Sequence, residues 1–91
     1  MKHAGHDALD GIEPLLAQLR VIDGLKEKSR GCFYLGGKGY LHFHEHGEGE
    51  FYADIGIGVF ERLPAMTNTQ RKLILARATT EVRALLAARK D

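Results

Sequence analysis

The sequence predicts an α+β fold, a two-layer sandwich in which a three-stranded antiparallel meander carries two helices on one face (α-β-β-β-α). Two observations predict it. Apolar residues recur at helical spacing near both ends of the chain, and between them apolar and polar residues alternate with period two. Glycine clusters separate the alternating segments, as in hairpins. Because both helices are amphipathic, each needs a partner surface, and the apolar face of a small sheet provides one.

The length and composition favour a single domain over residues 1–91, with residues 1–9 expected to be frayed. The chain has 91 residues, of which 44% are hydrophobic and 27% are charged. Its net charge of +1 gives no general attraction to nucleic acid or to an anionic membrane. With no apolar run of membrane-spanning length and no apparent signal peptide, we expect a cytoplasmic protein without a membrane partner.

The first helix is predicted to begin between Asp10 and Glu13. Pro14 then lies in its first turn, where the missing N–H costs nothing. The Asp23-Gly24 pair is predicted to end this helix, because glycine suits a left-handed C-terminal cap.

The last helix is predicted from about Asn68 to Arg89, and Thr67 with Gln70 has the spacing of a capping box. Its apolar stripe consists of Ile74, Leu75, Ala78, Val82, Leu85 and Leu86. The basic residues of this segment flank the stripe on both sides instead of forming one ridge. That pattern is typical of a solvated helix, so we do not expect nucleic-acid binding.

The three strands are predicted over Cys32–Leu35, Tyr40–His46 and Phe51–Ile57, with tight turns between them. Residues 25–31 are charged and are predicted to form a turn. Residues 59–64 are predicted either to continue the third strand or to close it.

Strand periodicity divides the side chains between two faces. One face is apolar and should lie under the helices: Phe33, Leu35, Leu41, Phe43, Phe51, Ala53, Ile55 and Ile57. The other face is rich in histidine and tyrosine: Cys32, Tyr34, Tyr40, His42, His44, His46, Tyr52 and Asp54. This second face is the candidate functional surface.

Three-residue turns set the register of the polar face. They place Cys32 opposite His42 and His42 opposite Asp54, so that these three residues form one row across the sheet. The same turns pair Tyr34 with Tyr40 and His44 with Tyr52. A five-residue second turn would instead pair His44 with Asp54.

A divalent metal, zinc or another ion, is the cofactor that this face predicts. Histidines two positions apart on a strand lie roughly 7 Å from each other on one face, within reach of one ion. The candidate ligands are therefore His42, His44, Asp54 and Cys32. A metal-dependent enzyme using His42, His44 and Asp54 is an alternative, and no catalytic residue is assigned.

Other interpretations of the same face remain open. Antiparallel sheets commonly have one face in water, and tyrosine enrichment favours a homodimer interface. The three tyrosines, Tyr34, Tyr40 and Tyr52, are candidate ligand-binding residues for an unspecified small molecule. A Cys32-His42-Asp54 nucleophile arrangement has suitable residue types but no evident oxyanion hole. The glycine-rich segment 35–39 lacks the spacing of a phosphate-binding loop.

The central segments resemble a family of small bacterial proteins with no known activity. The residues that carry the resemblance are Phe33-Tyr34, Leu41-His42-Phe43-His44-Glu45 and Ala53-Asp54-Ile55. The resemblance implies a short chain with a terminal helix and no particular mechanism. It does not explain Glu45. Strand periodicity places Glu45 on the apolar face, where a carboxylate needs a partner, and we expect Arg62 to be that partner.

Overall fold

The structure, a computed structural model, describes residues 2–89. Its strands are β1 (Lys2–His3), β2 (Leu25–Ser29), β3 (Cys32–Leu35), β4 (Lys38–Glu45), β5 (Phe51–Ile55) and β6 (Glu61–Pro64). Its helices are α1 (His6–Asp10), α2 (Glu13–Arg20) and α3 (Asn68–Ala88). The prediction of a mixed α+β fold with an antiparallel sheet and a C-terminal helix is confirmed.

Among the described residues the sheet has six strands, so the prediction of three was wrong. Strands β2 to β6 follow one another as an antiparallel meander in sequence order, and β1 pairs with β4. Strand β2 was predicted to be a turn because its residues are mostly charged. Those charges suit an edge strand, where one face and one row of backbone groups meet solvent. Within β2 only Leu25 is buried.

The N-terminal residues also differ from the expectation of a frayed segment. Lys2 and His3 pair with β4, and Leu9 of α1 is buried in the core. Glu45 of β4 explains part of this order. It accepts a hydrogen bond from the Gly5 backbone N–H at 3.1 Å and pairs with Lys2 at 3.3 Å. The expected Glu45–Arg62 pair is therefore wrong.

The core lies between the apolar face of the sheet and the helices. All the predicted apolar strand residues are buried except Ile57, which follows the end of β5. Ile74, Ala78 and Val82 of α3 join the same core, and Thr67 with Gln70 forms the predicted capping box. Within residues 2–89, no helix combines the length and apolar character that crossing a membrane requires.

Tyr40 lies in this core, not on the polar face as predicted. Phe33 pairs with Leu41 and the next residue, Tyr34, pairs with Gly39, so Tyr40 is the extra residue of a β-bulge. Side chains therefore stop alternating at this point, and Tyr40 and Leu41 are both fully buried. The Tyr40 hydroxyl donates to Glu81 Oε1 of α3 at 2.7 Å.

Candidate functional site

The face of the sheet opposite the helices carries the candidate site. Cys32 pairs with His42, His42 pairs with Asp54, and His44 pairs with Tyr52. The predicted row of Cys32, His42 and Asp54 is therefore confirmed, and the turn between β4 and β5 has the predicted three residues. All five side chains are half-buried although no helix covers them. Their partial burial comes from one another and from flanking residues.

The turn between β3 and β4 has two residues, and the bulge at Tyr40 then brings Cys32 opposite His42. The predicted pairing of Tyr34 with Tyr40 is wrong, because Tyr34 pairs with Gly39.

His3 joins this face, which sequence reasoning missed. Strand β1 places His3 directly opposite His44. The His3 ring centroid lies 4.9 Å from that of His44 and 5.8 Å from that of His42, and the last two are 6.3 Å apart. The sequence signal was weak, because a two-residue strand has no periodicity to detect. The site therefore contains three clustered imidazoles.

Asp54 is engaged by its neighbours. The Arg62 guanidinium of β6 donates to both carboxylate oxygens, at 2.8 and 2.9 Å, and holds the pKa of Asp54 below its usual value. His44 Nε2 lies 3.1 Å from Asp54 Oδ2. Asp54 is thus placed to orient His44, as carboxylates behind metal-ligating histidines commonly do. Its role as a direct metal ligand stays a prediction.

Two ring nitrogens of the cluster lack partners. His42 Nε2 and His44 Nδ1 are buried and make no hydrogen bond. The Lys2 backbone near His44 favours the protonated ring without meeting hydrogen-bond geometry. Unsatisfied buried polar atoms are rare and often mark a water, an ion or a functional group. These two atoms are therefore available to a water, an ion or another ligand.

Burial also sets the charge of the histidines. Desolvation lowers the pKa of His42 and that of His44, and the neighbouring His3 lowers both further, while Asp54 acts in the opposite direction. A neutral imidazole keeps one nitrogen lone pair free, which is the form that binds metals. At neutral pH His42 and His44 therefore offer nitrogen donors.

His42 lies in a close aromatic setting. Its ring centroid is 5.2 Å from that of Phe60 and 6.2 Å from that of Tyr34. A Cβ added at Gly39 would lie 3.0 Å from His42 Nε2. Gly39 does not have a positive φ, so the backbone conformation does not require glycine at this position. Its lack of a side chain instead leaves room for the His42 imidazole. The glycine keeps His42 in its present place.

The remaining predicted site residues are scattered. Tyr34 borders the cluster, and the Tyr52 hydroxyl donates to Glu50 Oε1 at 3.2 Å. Tyr40 is excluded from the site by its burial in the core. The structure therefore does not bring the three tyrosines together as one ligand site.

No preassembled metal site is present in residues 2–89. Among these residues, no group of three or more His, Cys, Asp or Glu side chains is already placed to hold an ion. Three imidazoles cluster, but their donor nitrogens do not yet converge. A metal would have to draw the rings together by side-chain rotation.

Comparison with protein-family models, curated proteins and solved structures found no significant match. The resemblance to small bacterial proteins stays a prediction, and the chemistry of the site rests on its own geometry.

Proposed function

We propose that this protein is a small binding module whose polar sheet face takes one transition-metal dication, with His3, His42 and His44 as nitrogen ligands. The observation that carries the proposal is the pair of buried, unpartnered nitrogens, His42 Nε2 and His44 Nδ1, within a three-imidazole cluster. Asp54 would act through His44 by fixing its ring orientation, with Arg62 holding the carboxylate.

The spacing of the rings supports this proposal. Zn–N bonds of 2.0–2.1 Å in tetrahedral geometry put the centroids of ligating imidazoles about 5.2 Å apart. The three centroid separations here, 4.9, 5.8 and 6.3 Å, bracket that value from just below to about 1 Å above. His42 is involved in both longer separations, so its side chain is the one that would have to move.

The contact between His44 and Asp54 bears on the same assignment. A neutral imidazole carries its single proton on the nitrogen that donates, and the Asp54 carboxylate can only accept. In the tautomer whose proton is on Nε2, the nitrogen 3.1 Å from Asp54 Oδ2, the lone pair is on Nδ1, which makes no hydrogen bond. In that tautomer, Nδ1 of His44 is the atom that would bind the metal.

Calorimetric titration of untagged protein with Zn²⁺ at pH 7.5 tests the proposal. We expect one site per chain, and we expect His44→Ala to weaken binding by more than about tenfold, the lower bound for changes around metal ligands. His46→Ala is the matched control, because His46 is an exposed histidine on the same chain segment. The control should bind Zn²⁺ as the unmodified protein does.

Two results would contradict the proposal. Either the unmodified protein fails to bind Zn²⁺, Co²⁺ and Ni²⁺, or binding persists in His44→Ala and disappears in His46→Ala. A metal-dependent enzyme would use the same ions and residues, so the first result removes that alternative as well.

Association with a second copy of the chain is a second candidate function. The β5–β6 loop exposes Ile57, Val59 and Phe60, whose side chains are 47%, 83% and 44% exposed. Phe60 contacts the histidine cluster, so this apolar loop borders the polar face. Apolar anchors beside a tyrosine-containing surface are typical of interfaces. Light scattering of the unmodified protein and of Val59→Asp with Phe60→Ser would show a dimer converted to a monomer.

A further inference from the structure

A groove runs between α2 and α3, on the helical side of the molecule and away from the histidine cluster. It consists of two cavities of about 660 and 170 Å³, and Gln18 and Leu75 line both, so the groove is continuous. On α3 the wall of the wider cavity repeats at helical spacing and consists of Leu75, Thr79, Arg83 and Leu86. One face of α3 therefore forms this wall, and the end of α2 forms the other.

The apolar side chains of the wider cavity are incompletely covered. Val21 is 81% exposed, and Ile22, Leu75 and Leu86 are only partly buried. A volume of about 660 Å³ lies within the range of about 300–1,000 Å³ that is typical of small-molecule sites. Such sites combine an apolar wall with a few polar groups that orient the ligand. The wider cavity has both the volume and the wall for an apolar chain.

The charged side chains along the groove are mostly cationic. They are Arg71, Lys72 and Arg83, with one carboxylate, that of Asp23. Arg77, on the same helix, pairs with Glu61 and Glu81, whereas Arg83 forms no ion pair with any residue in the range 2–89. A guanidinium without an acidic partner beside an apolar wall is suited to bind a carboxylate.

Charge also decides between the possible occupants of the groove. A second copy of the chain docked through the same surface would bring two cationic linings together, and like charges across an interface are costly. An anionic ligand avoids this repulsion and gains from the same cations.

We propose that the groove binds a soluble, single-chain amphiphile that carries one carboxylate, a ligand of the fatty-acid type. Arg83 pairs with the carboxylate, and the chain lies against Val21, Leu75 and Leu86. This site lies on the opposite side of the sheet from the histidine cluster and requires no metal, so it stands or falls independently of the proposed function.

Calorimetric titration of the full, untagged, metal-free chain with decanoate at pH 7.5 tests this inference. We expect one decanoate per chain and no saturable binding of decyltrimethylammonium, which has the same chain length and the opposite charge. Amide chemical shifts recorded by NMR during the titration should change at the end of α2 and along α3, and not on the polar sheet face.

Charge variants sharpen the test. Arg83→Gln should weaken decanoate binding by about threefold to fivefold, the effect of one ion pair at an exposed position. Asp23→Asn removes the only carboxylate of the lining among the described residues and should strengthen binding. Lys26→Gln is the matched control, because Lys26 is an exposed cation on β2 that does not line the groove, and it should bind decanoate as the unmodified protein does.

Three results would overturn the proposal: no decanoate binding, equal binding of decanoate and decyltrimethylammonium, or equal losses in Arg83→Gln and Lys26→Gln. Arg83 is exposed and unpaired within residues 2–89, so its substitution should leave the fold intact. Circular dichroism of each variant checks this point.

Discussion

Tyr40 shows how one extra residue redirects a side chain. The bulge in β4 buries its ring, and its hydroxyl donates to Glu81. Burial, and then the hydrogen bond to Glu81, raise the pKa of Tyr40 well above its usual value. The phenolate is therefore disfavoured in the folded chain.

A prediction about alkaline stability follows from Tyr40. A raised folded-state pKa stabilises the protein below the unfolded value of about 10, and this contribution is lost as pH rises above it. Urea denaturation should show a midpoint that falls above about pH 10. In Tyr40→Phe that fall should be smaller, and stability at pH 7 should decrease by about 1 kcal/mol. If the urea midpoint of Tyr40→Phe falls with pH just as that of the unmodified protein does, the result would contradict the burial of Tyr40.

Gly39 is the residue whose small size serves the site. Gly39→Ala should displace the His42 ring, because the added Cβ would lie 3.0 Å from Nε2, and should therefore change the Zn²⁺ affinity, with little effect on the thermal midpoint. Gly5→Ala is the matched control, because a Cβ there meets nothing within 4 Å and the backbone is extended. Calorimetric titration of both variants is the measurement. Equal zinc affinities would mean that His42 does not ligate.

The cap of α3 is the most predictable feature at the scale of an element. The Thr67 hydroxyl accepts from the Gln70 backbone N–H at 3.1 Å, and the Gln70 side chain accepts from the Thr67 N–H at 3.0 Å. Both partners are set by local sequence, so neither depends on the rest of the fold. Local rules of this kind can be applied without a structure.

Removing the cap should destabilise the whole protein. Thr67→Ala should cost about 1 kcal/mol, which lowers the thermal midpoint by about 4–8 °C for a domain of this size. Thr67→Ser keeps the hydroxyl and should stay close to the unmodified protein. If both variants melt alike, the cap does not contribute as the geometry indicates.

Strands β1 and β2 show where element prediction from sequence fails. Strand β2 forms because β3 provides a partner, and its charged residues give no periodic apolar signal. Strand β1 has two residues and is held by pairing with β4 and by Glu45. Both depend on long-range contacts. The same dependence explains why His3 was missed as a site residue.

At the scale of the whole molecule, the two faces of the sheet have separate roles. The apolar face and the helices form the core, so the fold and most of its register followed from period-two alternation and turn length. The polar face contributes clustered donors and little core packing. Its predicted row of residues was found, whereas Tyr40 moved because a bulge cannot be detected from alternation alone.

Because the two faces have separate roles, substitutions on the apolar face should lower the free energy of unfolding more than substitutions on the polar face. Phe33→Ala removes a fully buried ring and should cost about 3–5 kcal/mol of unfolding free energy. His42→Ala with His44→Ala should leave the fold intact and cost less than that range. Urea denaturation of metal-free protein compares the variants. Global unfolding of the double variant would show that the polar face is part of the core.

The most direct test of the three-histidine site is anomalous diffraction at the zinc absorption edge, from crystals grown with one equivalent of Zn²⁺. The account predicts one peak per chain on the polar face, about 2.0–2.1 Å from a nitrogen of each of His3, His42 and His44. A peak at exposed His6 or His46 with the cluster vacant, or no peak at all, would contradict it.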